Sequence, residues 1–282
     1  MTGKFKTTSE YFKMPLWKWS LLLVAGLLLT FVAYGLVGGM GSFGGGVTVN
    51  ICFSLVEGAG MLGFYACWSR LTEKQWPSDL SLAKVSKNIV TGIGIGVAYF
   101  CVVTGILAAL GHYKVMSVNH CCMDLLVSFF SCLVVACGEE VIFRGVLFHM
   151  IDKRFNTWAA LSVSGLLFGL VHLLNPGATL WSAVAIAVEA GFLLGAAYKC
   201  SGALWLPIGI HWAWNFTEGN IFGFNVSGGS DGIRLFVPEI SGPDLLTGGN
   251  FGPEASIVAV LLGLVLTVAF LRHFRFHSVR AI

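Results

Sequence analysis

The side chains able to do chemistry in this chain are few, and they recur at helical spacing. In Gly138-Glu139-Glu140-Val141-Ile142-Phe143-Arg144, Glu140 and Arg144 stand four residues apart, on one face of a helix. They should form a structural ion pair that keeps Glu140 ionised. Glu139 is turned from Glu140 by about 100° and has no cation close by in sequence, so it is the free carboxylate and the candidate base. Phe168-Gly169-Leu170-Val171-His172 supplies one imidazole, and His211-Trp212-Ala213-Trp214-Asn215 stacks a second imidazole and an amide on one helix face. Peptide hydrolysis needs a base for water, a proton donor for the leaving amine and donors for the oxyanion. Glu139, His172, His211 and Asn215 provide those groups, with Glu140 and Arg144 as scaffold. The plainer reading makes Glu139, Glu140 and Arg144 one structural ion network at a membrane edge and each histidine a satisfied core residue.

These residues lie in a chain that has little else that is polar. Of 282 residues 56% are apolar and only 11% charged, against about 25% charged in a soluble domain. Such a sequence cannot cover a water-facing surface, so the fold class is an all-α, polytopic membrane helix bundle. A bilayer core takes about 20 apolar residues per helix. Eight transmembrane helices are expected, at about 17–37, 47–68, 89–110, 123–145, 158–174, 180–198, 203–217 and 255–271, forming a single membrane domain over 1–282. The first reads as an uncleaved signal anchor. An acid inside such a helix costs at least about 2.5–3.5 kcal/mol, so it faces protein or water and is a functional candidate. Glu57 and Glu189 join the list on that ground.

With the N-terminus in the cytoplasm, eight crossings put Lys4, Lys6, Lys13, Lys18, Arg70, Lys74, Lys84, Lys87, Arg144, Lys153, Arg154, Lys199, Arg272, Arg275 and Arg280 inside. Only Lys114 and Arg234 fall outside, two of the 17 basic residues. The excess of Lys and Arg on one side sets orientation, so both termini are expected in the cytoplasm. A net charge of +3 spread over these loops excludes nucleic acid as a partner. The segment 218–254 is an extracytoplasmic loop rich in Gly, Ser, Asn and Pro, with Glu218, Asp231, Glu239, Asp244 and Glu254; it is expected to be acidic and flexible, with a lid or substrate-contact role as the alternative. Gly165-x-x-x-Gly169 and Gly191-x-x-x-Gly195 should let helix backbones approach closely, Gly92, Gly94 and Gly96 should do the same or loosen the third span, and Gly38–Gly46 is the one biased tract. The eight cysteines form no CxxC pair and read as small buried apolar residues.

The spacing also places the site. The fourth and fifth spans make a hairpin turning near Asp152–Thr157, and the midpoint of Glu139 and His172 falls within that turn. The two side chains therefore share one depth, about 25 Å from the turn at ~1.5 Å per residue. A seventh span packed beside the hairpin brings His211 and Asn215 to the same level.

The set EExxxR (Glu139, Glu140, Arg144), FxxxH (Phe168, His172) and HxxxN (His211, Asn215) resembles the CPBP family, the CAAX-prenyl-protease and bacteriocin-processing (Abi) membrane endopeptidases. The resemblance covers about 123–217, the catalytic core. It implies an intramembrane endopeptidase in which Glu139 and His172 activate water, while His211 and Asn215 complete a metal site or form the oxyanion hole. It leaves open two cofactor states: a divalent metal such as zinc held by Glu139, His172 and His211, or a metal-free glutamate mechanism. Asn is a poor zinc ligand, which favours oxyanion duty for Asn215, and the soluble-type HExxH helix is absent. Partners implied are the lipid bilayer and a peptide or protein substrate, from CAAX tails to bacteriocin leaders, in a bacterial cell membrane. The competing readings are an ion-coupled transporter using Glu57, Glu139 and Glu189, and a catalytically dead scaffold.

Overall fold

The computed structural model describes residues 10–38, 46–120, 122–230 and 232–280. Lys4, Lys6, Cys121, Asp231 and most of the Gly38–Gly46 tract lie outside the described residues. The chain is helical almost throughout: α1 (Glu10–Lys13), α2 (Leu16–Gly38), α3 (Val47–Glu73), α4 (Val85–Ala109), α5 (Cys122–Glu140), α6 (His149–Arg154), α7 (Thr157–Val171), α8 (Leu180–Ile186), α9 (Leu193–Ser201), α10 (Trp205–Asn215), α11 (Asp244–Thr247) and α12 (Ile257–Arg280). Three wide, π-type segments join or extend these. Val141–Phe148 fuses α5 to α6, Ala187–Phe192 fuses α8 to α9, and Phe216–Ile221 prolongs α10. Local chemistry sets the starts: Asn156 caps α7 by accepting from the Ala159 N–H, and Thr179 and Ser182 form a capping box on α8.

Among the described residues seven helices are long and apolar enough to cross a membrane, not eight. The expected seventh span is α10 and its extension, eleven residues of α-helix and six of wider helix, a length of about 25 Å at ~1.5 Å per residue. It falls short because it is sheathed by protein rather than lipid; nine of the eleven α10 residues are buried. It still crosses. Gly92 of α4 meets Leu206 and Gly209, Gly96 meets Ile210 and Trp214, and Tyr99 stacks on Trp214 at 4.2 Å. Residue numbers rise together, so α10 runs parallel to α4.

The two ends of the bundle agree with that parity. At one end Arg154 donates to the carbonyls of Tyr11 and Met14, Lys84 to those of Ser201 and Gly202, and Lys199 pairs with Asp152 at 2.7 Å. Lys199 also lies over the Phe274 ring, which brings the end of α12 here. At the other end β1 (Tyr113–Val118) pairs antiparallel with β2 (Phe236–Ile240), joining the connection after α4 to the connection after α10. Every intervening segment therefore crosses, and the basic loops share one end. Arg144 drops out of the charge tally because it is fully buried in the core.

Three expectations need correction. The segment 218–254 is not a loose acidic loop: it holds β2 and α11, and Glu218 and Glu254 are buried. Among the described residues the cysteines are mostly not buried; Cys52, Cys67, Cys101 and Cys122 are on outer faces and, of those described, only Cys137 is in the core. Gly94 touches nothing, whereas a Cβ on Gly96 would stand 2.5 Å from the Ile210 carbonyl oxygen and one on Gly92 would stand 2.6 Å from that of Leu206. Gly96→Val should therefore cost ~1–3 kcal/mol through overpacking, and Gly94→Ala less than about 0.5 kcal/mol, as read by thermal unfolding in detergent.

Candidate active site

The paired carboxylates sit where α5 gives way to the wide segment Val141–Phe148, a kind of helical irregularity frequent at functional sites. Glu140 and Arg144 are both 0% exposed and pair at 2.9 Å. Arg144 also donates through Nη2 to the carbonyls of Ala190 at 3.2 Å and Gly191 at 3.1 Å, in the wide segment between α8 and α9. Its guanidinium lies 4.6 Å from the centre of the Phe168 ring. The expected ion pair is thus present, and it knits three helices.

Glu140 has a second partner. Its Oε1 lies 2.9 Å from His211 Nδ1. A carboxylate already accepting from Arg144 can only accept again, so His211 carries its proton on Nδ1. Its other nitrogen, Nε2, stands 3.8 Å from Glu139 Oε2. Glu139 itself is 22% exposed at the side chain, and Oε2 is buried without a hydrogen-bond partner. The division between a bound carboxylate and a free one, expected from spacing, is the observed geometry.

His172 follows α7 in a short 3-10 turn, and its Nδ1 lies 2.6 Å from the Phe168 carbonyl oxygen. A carbonyl only accepts, so Nδ1 donates and Nε2 keeps a lone pair. The Phe168 ring packs against His172 at 4.8 Å and edge-on to His211 at 6.2 Å. One phenylalanine therefore orients the first histidine through its backbone and wedges the second through its ring.

Glu139, His172, His211 and Asn215 line one cavity of about 340 Å³. The sequence does not single out the rest of the wall residue by residue: Ser128, Ser131, Cys132 and Val135 from α5, Asn175 after His172, and, from the segment with a lid or substrate-contact role as its alternative, Gly219, Asn220, Phe224, Val226, Ser227, Gly229 and Ser230. Asn175 Nδ2 donates to the Ser227 carbonyl and Asn220 Nδ2 to that of Ile233, which fold the segment over the cavity. Beyond the loop composition of 218–254, no single-sequence signal marks these residues individually, since Ser, Asn and Gly are common on loops and helix faces alike.

The remaining intramembrane acids lie elsewhere. Glu57 borders a second cavity with Tyr34, Asn50 and Ser54. Glu189 is fully buried and accepts from the Tyr99 hydroxyl at 2.9 Å. Neither lines the cavity of Glu139, although the cavity beside Glu57 shares Ser131 and Val135 with it. Among the described residues no three His, Cys, Asp or Glu side chains are gathered so as to hold a metal ion. Glu139, His172 and His211 share a cavity without forming a ready coordination set.

Residues 121–217 match the family model described as type II CAAX prenyl endopeptidase, Rce1-like. No curated protein and no solved structure gives a significant match. The matched stretch runs from the start of α5 to just past Asn215, and so contains Glu139, Glu140, Arg144, His172, His211 and Asn215 together. Through this core the chain is similar to the CAAX-type membrane proteases of the CPBP group.

Proposed function

We propose that this protein is an intramembrane endopeptidase that hydrolyses a peptide bond in a membrane-associated protein or peptide, with Glu139 as general base. The observation that carries the reading is the partly exposed Glu139 carboxylate, 3.8 Å from His211 Nε2, in a cavity that also holds His172 and Asn215. A water between Glu139 and His172 meets two acceptors, the carboxylate and the Nε2 lone pair. It gives one hydrogen to each and keeps an oxygen lone pair for the substrate carbonyl carbon. Glu139 takes the proton as the C–O bond forms. It returns that proton to the amide nitrogen as the C–N bond breaks.

The oxyanion needs donors fixed in advance. Asn215 offers its amide, which no protein group engages among the described residues. His211 offers Nε2–H in its imidazolium form, with Glu140 behind it and Glu139 beside it balancing the charge. The donor arrangement does not form a metal set, so no step is routed through a metal; were one held, Glu139, His172 and His211 would be its ligands. Asn215→Ala should lower kcat by about 10²–10³-fold and leave KM for a membrane-anchored reporter little changed. An unaltered kcat would remove the oxyanion role from Asn215, and absence of hydrolysis in the unmutated protein would remove the peptidase reading.

A further inference from the structure

We infer that the catalytic cavity faces away from the cytoplasm, and that its substrate is a membrane-anchored peptide presenting the scissile bond at the extracytoplasmic face. The substrate half of this statement rests on the peptidase reading; the sidedness rests on charge and geometry alone.

Each strand of the wall leads to the same end of the bundle. From α5, which starts beside β1, come Ser128 to Glu139, and none comes from the stretch 141–154 that leads on to the basic turn. From the α7 side come His172 and Asn175, beyond the end of a helix whose own start lies at the basic turn. From α10 come His211 and Asn215, and then the chain passes directly into the covering segment 219–230. Among the described residues no lining residue belongs to 10–15, to 74–84, to 149–156 or to 199–204, the segments that meet at the basic end. Below Glu139 the way is shut: Glu140 to Phe148 are buried without a break.

Charge then assigns the ends. Lys74 and Lys84 on connections and Lys153, Arg154 and Lys199 in the last turns of α6 and α9 gather at the closed end, while the connections at the open end hold only Lys114 and Arg234. Short loops with a strong Lys and Arg excess stay in the cytoplasm, so the open end is the outer one. His172 itself stands just past the end of α7, on the side opposite the hairpin turn. A tail that ends in the cytoplasm is on the wrong side of the closed floor. An exported or secreted peptide still tethered in the bilayer is on the right one.

Two native cysteines test the sidedness without mutation. Cys132 lines the cavity, and Cys200 adjoins Lys199 at the basic end; both are half-buried. Sealed right-side-out and inverted vesicles would be treated with a membrane-impermeant maleimide and the modified cysteines mapped by mass spectrometry. Cys132 should be modified in right-side-out vesicles and lose that modification in inverted ones, with Cys200 reversed. If neither thiol is reached, the exposed positions Ser230→Cys and Gln75→Cys give the same comparison. Modification of the cavity position only in inverted vesicles would overturn the inference. The vesicles would then carry single-span reporters with a randomised segment at either face. Cleavage of outward segments, lost with Glu139→Gln, supports the substrate class; cleavage confined to inward segments overturns it. Outward modification with neither reporter cut would uphold the sidedness and overturn the peptidase reading.

Discussion

Glu139→Gln is expected to lower hydrolysis by about 10³-fold or more, within the range for loss of a general base, while leaving the bundle folded. The substitution keeps shape and volume and removes the negative charge, and with it the ability to accept a proton. Glu140 cannot substitute: its Oε1 is shared by Arg144 and His211 at 2.9 Å each, and it is fully buried. His172 is not expected to either, because in the proposed mechanism its free nitrogen holds the water, and its other nitrogen is tied to the Phe168 carbonyl. Stability should not suffer, since Glu139 Oε2 has no hydrogen bond to lose, and sites shaped for activity commonly gain stability when disarmed. Single-turnover cleavage of a membrane-anchored reporter, alongside thermal unfolding in the same detergent, separates the two effects. In cells, comparative proteomics of a Glu139→Gln strain should show an uncut membrane-associated peptide accumulating. Retention of more than about a tenth of the rate would contradict the expected size of the base contribution.

The site was legible in the sequence for the reason that makes it costly. A carboxylate, guanidinium or imidazole inside an apolar helix is a penalty that only a partner or a function offsets, so Glu139, Glu140, Arg144, His172 and His211 stand out against Leu, Val and Phe. Spacing of four predicted the Glu140–Arg144 pair, and equal distances from one turn predicted that Glu139 and His172 share a depth; both line one cavity. What could not be read depends on contacts distant in sequence. Glu254 looks like a loop acid, yet Trp214 Nε1 and the Ser227 hydroxyl and N–H all donate to it, 40 and 27 residues away. The covering segment 219–230 has loop composition whether it waves in water or roofs a cavity. The short α10 fell below membrane length because α4 and its neighbours, not lipid, surround it.

The second large effect concerns the floor of the site. Arg144→Ala should destabilise the protein by about 3–5 kcal/mol, the cost of leaving one member of a buried ion pair without the other. The loss reaches further than Glu140, because Arg144 also satisfies the carbonyls of Ala190 and Gly191 and fills the space over Phe168. Arg144→Lys should rescue little: a single ammonium cannot reproduce a planar fork that reaches a carboxylate and two carbonyls at once. Removing both charges is a different case. Replacement of a buried pair by apolar side chains of similar volume is often neutral or stabilising, so Glu140→Leu combined with Arg144→Met should melt close to the unmutated protein. That double variant should still be slow by about 10²-fold or more, because His211 has lost the acceptor at Nδ1 that aims Nε2 into the cavity and misplacement of that order is costly. A folded, inactive double variant assigns Glu140 the positioning of His211 and Arg144 the neutralisation of Glu140. A double variant that is both stable and fully active would show that the pair serves the fold alone, and that His211 takes its orientation from the Phe168 ring instead.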